Sequence, residues 1–237
     1  MAKLRLGGIS IDVVQKDIKN IHLSVYPPTG RVRISAPLRF DLDTIRVYVI
    51  SKLEWIRKQQ YKFRNQEREA SREFLNRESH FFRGERYLLK VVEQDVPPHV
   101  ILKHSVIEIS VRPSAGLAKK KDTLDNWYRG YLKELVPSLI RGWEKSLGVR
   151  VNEFGIRKMR TKWGTCNPAA GKIWLNLELA KKPVECLEYI IVHEMVHLFE
   201  RNHSDRFVAL MDRFMPKWKF HKDELNRLPV RHEGWKY

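Results

Sequence analysis

Two histidines and a glutamate form the part of this sequence best suited to chemistry. His193 and His197 are four residues apart, so on a helix their side chains lie on one face, one turn apart. Two imidazoles placed in this way can bind one zinc ion at ~2.0–2.1 Å. Glu194 follows His193 directly and lies about 100° further round the helix, where it reaches a water on the metal without being a ligand. The spacing therefore predicts a metal site with a general base beside it.

A catalytic zinc site needs a third protein ligand and keeps one position open. His203 is the strongest candidate, because the polar run 202–204 can form a turn between two helices and return His203 to the metal. Glu200 is the nearest rival, but it lies three residues beyond His197 in the same helix and faces partly away. The weaker candidates are His221 and Glu224.

The apolar surroundings of these polar residues favour a metal site over a chance match. Between Ile190 and Phe199, the histidines and Glu194 are the only polar side chains. Burying these side chains costs free energy unless each of them is paired, and a single metal ion would pair all three. A structural zinc is disfavoured, since such sites are usually closed by cysteines and the chain has only two. We therefore expect one catalytic Zn²⁺ per chain.

The rest of the sequence predicts an α+β fold around this site. Alternating apolar residues predict strands at 21–25, 31–35, 87–92, 100–102, 106–111 and 172–177. Apolar spacing and capping residues predict four helices: from Asp41 or Asp43 to about Glu78, from Thr123 to Leu147, from Pro183 to about Glu200, and from Ser204 onward. In the second of these, Pro137 predicts a kink or break and Gly148 predicts the end. We assign 1–115 to a strand-rich N-terminal region with one long charged helix, and 116–237 to a zinc-dependent catalytic domain. No internal repeat is visible.

Composition and charge limit the classes of partner and location. The chain has 237 residues, and 45 Lys and Arg against 28 Asp and Glu give a net charge of +17. Such an excess attracts polyanions, so nucleic acid or a nucleotide is a candidate partner for the basic surface. No apolar run approaches the ~18–20 residues of a membrane span, and no secretory signal precedes the first strand. These features predict a cytoplasmic protein with no membrane span.

Three stretches give the sequence a resemblance to a known family. They are Lys162-Trp163-Gly164-Thr165-Cys166, Gly171-Lys172-Ile173-Trp174-Leu175-Asn176, and His193-Glu194-Met195-Val196-His197 with Asn202-His203-Ser204 and Phe207. Through them most of the chain resembles the YgjP-like (SprT-related) family of predicted zinc metallopeptidases. The resemblance implies a small zincin-type catalytic domain with a short mixed sheet, zinc ligands at His193, His197 and His203, and Glu194 as the base. Thr165 and Met195-Val196 depart from the family's commoner residues without touching a ligand.

The segment 162–177 has the pattern of a hairpin that precedes the site helix. In zincins an edge strand above the metal holds an extended peptide by main-chain hydrogen bonds, and we expect this hairpin to do the same. Packing in the core is an equally good interpretation of its apolar side chains. Arg160 and Lys162 are candidate donors to the oxyanion. The candidate substrate-binding residues are Trp163, Gly164, Lys172, Trp174 and Asn176.

Together these patterns predict a zinc-dependent hydrolase, most directly a metallopeptidase that cleaves protein or peptide substrates with metal-activated water and Glu194 as base. One alternative is a metal-dependent UTP pyrophosphatase, a label that some members of the family carry. The charge suits that substrate, although the chain has no Gly-rich phosphate loop and no Asp cluster for magnesium. The other alternative is a nucleic-acid-associated protein whose zinc site only stabilises the fold.

Overall fold

The first sheet of the molecule consists of four strands in which alternate residues are apolar. The computed structural model describes residues 2–26, 29–65, 72–159 and 162–227. Strands β3 and β4 form the antiparallel hairpin that the sequence predicts, whereas β2 and β4 are parallel. The strand order is β1-β2-β4-β3. The four strands are β1 (Ala2–Leu6), β2 (Ile9–Lys16), β3 (His22–Tyr26) and β4 (Arg31–Pro37).

Two helices complete the core of this first sheet. Helix α1 (Leu42–Ser51) begins where the Thr44 backbone N–H donates to the Asp41 side chain at 2.8 Å. Helix α2 (Leu53–Asn65) follows after a single residue, Lys52. The two helices bury Ile45, Val49 and Ile56 against strand residues such as Ile11 and Ile34.

The prediction of one helix as far as Glu78 is wrong. The helix is interrupted at Lys52, and residues 72–78 have no helical structure, while 66–71 lie outside the described residues. The Glu78 carboxylate accepts from the backbone N–H groups of residues 73–75, which a helix would turn towards backbone carbonyls. Phe74 and Arg77 have φ of 59° and 68°, outside the right-handed helical region.

A second four-stranded sheet follows in the chain and confirms the strands predicted between 87 and 111. Its order is β5-β6-β8-β7, with a parallel central pair, β6 and β8. The long helix α3 (Leu117–Leu147) comes next; it begins before the predicted Thr123 and ends at Gly148, whose φ is 69°. It is continuous through Pro137, so the predicted break does not occur there. The strands are β5 (Ser79–Phe82), β6 (Glu85–Glu93), β7 (His99–Lys103) and β8 (Val106–Val111).

The second sheet repeats the topology of the first, although no repeat is visible in the sequence. In both sheets the second and fourth strands are parallel and each pairs with an antiparallel edge strand. The first turns also match: Gly7 and Gly8 have φ of 54° and 79°, and Arg83 and Gly84 have φ of 53° and 84°. Both sheets bury alternate strand residues, so what they share is a pattern of burial and not residue identity.

Strands β5–β8 share their core with α3. The Phe82 ring lies 4.6 Å from the Trp127 ring, and the Tyr128 hydroxyl donates to the Phe81 carbonyl at 2.7 Å. The described residues therefore form compact units at 2–65 and 72–227, a different division from the predicted one at 115/116. The apolar faces of β5–β8 explain the difference, because they are covered by a helix that follows them in the chain. The assignment of 1–115 and 116–237 to separate domains stays a prediction.

The described residues after α3 form a three-stranded mixed sheet, a 3-10 helix and three α-helices. The sheet order is β10-β11-β9, with β11 antiparallel to β10 and parallel to β9. With it the architecture is α+β, as predicted. None of the described helices combines the length and apolar character that a membrane crossing requires; the protein's location stays a prediction. The elements are β9 (Glu153–Arg157), β10 (Gly164–Asn167), β11 (Lys172–Asn176), a 3-10 helix (Leu177–Lys181), α4 (Val184–Val196), α5 (Asp205–Phe214) and α6 (Trp218–Arg227).

Candidate metal centre

The end of α4 brings two imidazoles to one face of the helix. The His193 and His197 rings are 4.9 Å apart and nearly perpendicular. Helix α4 ends at Val196, before the predicted Glu200, and His197 is its C-terminal cap. Most other residues of α4 are fully buried, so the helix holds both histidines against a rigid apolar core.

The chain then turns back and brings His203 to the same place. Ser204 caps α5 as predicted, its hydroxyl accepting from the Phe207 N–H at 3.4 Å. This turn places His203 Nε2 at 3.0 Å from His193 Nε2. One nitrogen atom from each of His193, His197 and His203 lies within 4.8 Å of the other two. The structure thus brings together the three histidines that the sequence analysis selected as ligands.

Phe207 supports all three imidazoles, a role that the sequence analysis did not assign. Its ring centroid lies 4.9, 4.7 and 4.8 Å from those of His193, His197 and His203, respectively. Phe207 is fully buried and projects from the first turn of α5, so its position depends on the same turn that returns His203. In the sequence, the signal that could have indicated this role is the Asn202-His203-Ser204 run with an aromatic residue three positions after Ser204.

The donor set fits a zinc ion. Two ligand atoms of a tetrahedral zinc with bonds of ~2.0–2.1 Å are about 3.3 Å apart, close to the distance between His193 Nε2 and His203 Nε2. His197 Nδ1 lies 2.9 Å from the Glu200 carbonyl oxygen. A carbonyl only accepts, so Nδ1 carries the proton and Nε2 keeps a free lone pair for a metal.

The electrostatics of the histidines also fit a bound cation. Burial, with His197 and His203 nearby, lowers the pKa of His193 to about 3. Burial, with His197 nearby, also lowers the pKa of His203. Both imidazoles are therefore neutral at pH 7, the form that binds metal.

The rival ligands lie in other positions. The Glu200 carboxylate accepts from the Asn202 backbone N–H at 3.3 Å, so it stabilises the turn rather than pointing to the histidines. Glu224 in α6 lies 3.6 Å from the Cys186 sulfur, and the backbone carbonyl of His221 lies 3.7 Å from it. Within the described parts of the chain, the group able to hold a metal consists of His193, His197 and His203.

Glu194 is buried against the start of β10. Burial raises the pKa of Glu194 to about 8, and the positive charge of Lys162 acts in the opposite direction. A methyl group in place of the Gly164 hydrogen would lie 2.6 Å from Glu194 Oε1 and 2.7 Å from Cγ. Any side chain at position 164 would displace the carboxyl group, so Gly164 gives Glu194 its space.

Asn176 anchors the segment that leads to Gly164. Its side-chain amide donates to the carbonyl oxygens of Met159 at 3.0 Å and Lys162 at 2.8 Å. Its side-chain oxygen accepts from the N–H groups of Met159 and Glu178 at 3.3 and 3.2 Å. Asn176 is buried and every hydrogen-bonding position of its amide faces the backbone, which favours a positioning role over substrate contact.

Lys172 and Trp174 lie on the face of β11 opposite the core. Ile173 and Leu175 alternate with them and are fully buried. The Trp174 ring packs on Gly155, with the Lys172 ammonium 4.5 Å from its centroid. Lys172 also pairs with Glu153 at 2.6 Å. Substrate binding by Lys172 and Trp174 stays a prediction, and their position favours packing.

The remaining candidates of the 162–177 segment lie near the start of β10. Trp163 is half-buried, and its carbonyl accepts from the Asn176 N–H at 2.8 Å. Burial and the nearby Glu194 raise the pKa of Cys166 to about 11, so its thiol is protonated at neutral pH. Lys162 is exposed, and Arg160 lies outside the described residues.

Comparison with known proteins places the chain in a family. The solved structures similar to it include the metallopeptidase zymogen of Pyrococcus abyssi abylysin, at 23% identity and a TM-score of 0.36, covering 38% of this chain and 91% of that chain. No curated protein matches the chain. Residues 19–228 match the family model described as YgjP-like, metallopeptidase domain. Because that match spans most of the sequence, the chain belongs to the YgjP-like metallopeptidase family.

Proposed function

We propose that the protein is a zinc-dependent peptidase in which His193, His197 and His203 hold one zinc ion and Glu194 is the general base. The observation that carries the proposal is the convergence of three imidazoles, with the buried Glu194 directly after His193 on α4, in a chain of a metallopeptidase family. When bound, zinc would supply the Lewis acidity that makes water a nucleophile near neutral pH.

Glu194 performs the proton transfers of this reaction. It follows His193 on α4 and packs against Gly164, the first residue of β10. The positive charge of the bound zinc would oppose the effect of burial and favour the ionised form of Glu194. In that form Glu194 would accept the proton of the attacking water and pass it to the amine that leaves. Lys162 is the described cation whose charge acts on Glu194, and we propose it, with Arg160, as a donor to the oxyanion.

The substrate is an extended protein or peptide segment. Strand β10 is an edge of the third sheet, and on its outer side no other described strand pairs with it. Main-chain pairing along that edge would carry a peptide past Glu194, which packs on Gly164 at the first position of β10. Trp163 and Gly164 would then be the substrate-binding residues closest to the reaction.

The two alternative functions draw less support from the site. Magnesium, which a UTP pyrophosphatase would use, prefers oxygen ligands, whereas the described cluster offers three imidazole nitrogens. A structural zinc is usually held by four protein ligands, and the described cluster has three. No contact among the described residues favours nucleic acid as the substrate of this site.

Metal analysis and peptide hydrolysis of three variants test the proposal. Glu194→Gln keeps size and hydrogen bonding but cannot accept the proton, so it should keep one zinc per chain and lose ~10²–10⁴-fold in rate on an unfolded protein substrate. His203→Ala should weaken zinc binding itself. Glu185→Gln, an exposed position on the same helix, is the matched control and should change neither.

Two results would overturn the assignment. One is full activity in Glu194→Gln. The other is loss of zinc in Glu194→Gln together with full zinc in His203→Ala. Hydrolysis of UTP with Mg²⁺, without any hydrolysis of unfolded protein with Zn²⁺, would replace the peptidase by the pyrophosphatase.

A further inference from the structure

The N-terminal unit contains a groove of about 680 Å³ that the proposed peptidase site does not use. One wall is the segment 21–24, which includes the start of β3. The other wall is the end of α1 and the first turns of α2. Its lining includes Ile21, Leu23, Tyr48, Lys52, Trp55 and Lys58.

The groove runs along the open edge of a strand. All four consecutive residues of the segment 21–24 line it. Successive strand side chains point to opposite faces of a sheet, so a cavity that touches all of them lies at the strand edge and not over one face. Strand β3 pairs with β4 on one side, and on the other side no described strand pairs with it. At residues 22–24 the groove therefore borders a strand edge that no described strand pairs with, the kind of edge that can accept an added strand.

The interruption of the helix at Lys52 creates the opposite wall. In the second copy of this strand arrangement, the corresponding edge strand β7 packs against the continuous helix α3. In the first copy the helix ends at Ser51 and restarts at Leu53, and residues on both sides of this break line the groove. Strand β3 also packs against α2, so the space lies beside the break between the two helices.

The lining combines apolar and cationic groups. Trp55 is 43% exposed, an unusual state for a tryptophan, and Leu23 and Tyr48 beside it are half-buried. Lys52 and Lys58 are exposed, and Glu54 is the one acidic residue of the lining. Residues 2–65 contain thirteen Lys and Arg against five Asp and Glu. Both the groove and its unit therefore complement a ligand with negative charge.

We propose that this groove binds an extended acidic segment of another protein as an added strand on β3. The ligand's backbone pairs with the free edge of β3, and alternate side chains supply the rest of the affinity. Apolar side chains of the ligand contact Trp55 and Tyr48, and its carboxylates pair with Lys52 and Lys58. The site lies in a different unit from the histidine cluster and needs no metal, so the inference does not depend on the proposed function.

Fluorescence anisotropy of labelled peptides with the full chain tests this proposal. The chain carries Glu194→Gln so that the peptide is not cleaved. The probe is a peptide of about eight residues in which glutamate alternates with valine or leucine, the pattern of a two-faced strand. Methylation of alternate backbone nitrogens along one edge removes strand pairing without changing the side chains, and it should weaken binding at least about tenfold.

Charge reversal locates the binding site. Lys52→Glu with Lys58→Glu should weaken binding of the acidic peptide at least about tenfold. The matched control, Arg5→Glu with Lys16→Glu, changes the same number of charges at exposed positions of the same unit outside the groove, and it should lower affinity about twofold or less. Circular dichroism checks that all variants are folded.

Three outcomes would overturn the inference. Equal binding of the methylated and unmethylated peptides would exclude strand addition. An equal loss of peptide affinity in both charge-reversal pairs would show that the effect comes from the net charge of the unit and not from the groove. Tighter binding of single-stranded oligothymidylate, with displacement of the peptide from the groove, would make the groove a nucleic-acid site, since stacking on Trp55 and Tyr48 needs no strand edge.

Discussion

Gly164 and Glu194 are in direct contact: a methyl group on the Gly164 Cα would lie 2.6 Å from the Glu194 carboxyl oxygen Oε1. This contact joins the first residue of the edge strand β10 to the carboxylate that we propose as general base. The position of the base therefore depends on a residue without a side chain, thirty positions earlier in the sequence.

Replacement of Gly164 by alanine should separate catalysis from metal binding. The added methyl group must push the Glu194 carboxylate aside, so kcat should fall about 10–100-fold as general-base geometry is lost. The three atoms nearest to such a methyl group all belong to Glu194, so zinc content should stay at that of the wild type. Gly142→Ala is the control, because a methyl group there meets nothing within 4 Å, and it should leave kcat unchanged. Wild-type kcat in Gly164→Ala would contradict the positioning role.

Loss of the Asn176 side chain should destabilise the protein and lower its activity. Asn176→Ala leaves the carbonyl oxygens of Met159 and Lys162 and the Met159 N–H without their present partner. We expect a loss of about 1–3 kcal/mol in the free energy of unfolding, measured by urea denaturation. Because these bonds hold the segment that leads to Gly164, kcat should fall even at temperatures where the variant is folded. A loss of stability without any change in kcat would show that Asn176 stabilises the fold and does not position the site.

Zinc should stabilise the wild type and not the ligand variants. A ligand that binds only the folded state adds about 2.7 kcal/mol at a concentration 100 times its Kd. His193→Ala and His197→Ala should each lose the bound zinc and the rise in Tm on adding Zn²⁺, both measurable by metal analysis and thermal scans. His104→Ala, at an exposed position in the other half of the unit, should keep both. One zinc per chain in both ligand variants would refute the assigned ligand set.

The buried His80 should make the protein less stable in acid. Burial, with Arg72 and Lys181 nearby, lowers the pKa of His80 to about 4, although Glu78 acts in the opposite direction. In the unfolded chain its pKa is about 6.5. Above about pH 6.5 the contribution of His80 to the free energy of unfolding is therefore fully present. As the pH falls from 6.5 towards 4, only the unfolded state takes up the proton, so this contribution decreases by about 1.4 kcal/mol per pH unit.

The measurement is urea unfolding of metal-free protein from about pH 7.5 to about pH 4.5. His80→Gln cannot titrate, so its free energy of unfolding should fall less steeply over this range than that of the wild type. His104→Gln, an exposed histidine, should keep the wild-type slope. An unchanged slope in His80→Gln would show that His80 does not cause the acid sensitivity.

Local patterns in the sequence were sufficient for most strands and for the helix of the site. Alternation of apolar residues depends only on the strand period, so the β3–β4 hairpin and the strands at 85–111 follow from neighbouring residues. The end of α3 at Gly148 and the start of α5 at Ser204 are capping effects of single residues. The break at Lys52 has no such signal, because the sequence on both sides of it keeps a helical pattern.

The sequence by itself determined that His193, Glu194 and His197 lie within one turn of an apolar helix, since the period of the helix sets that geometry. Only the tertiary structure decided that His203 returns to His193, that Phe207 lies against all three imidazoles and that Gly164 makes room for Glu194. It also decided that β5–β8 share a core with α3 and that a groove opens beside β3. These relationships join segments far apart in the chain, and they depend on which apolar surfaces cover one another, which no local pattern records.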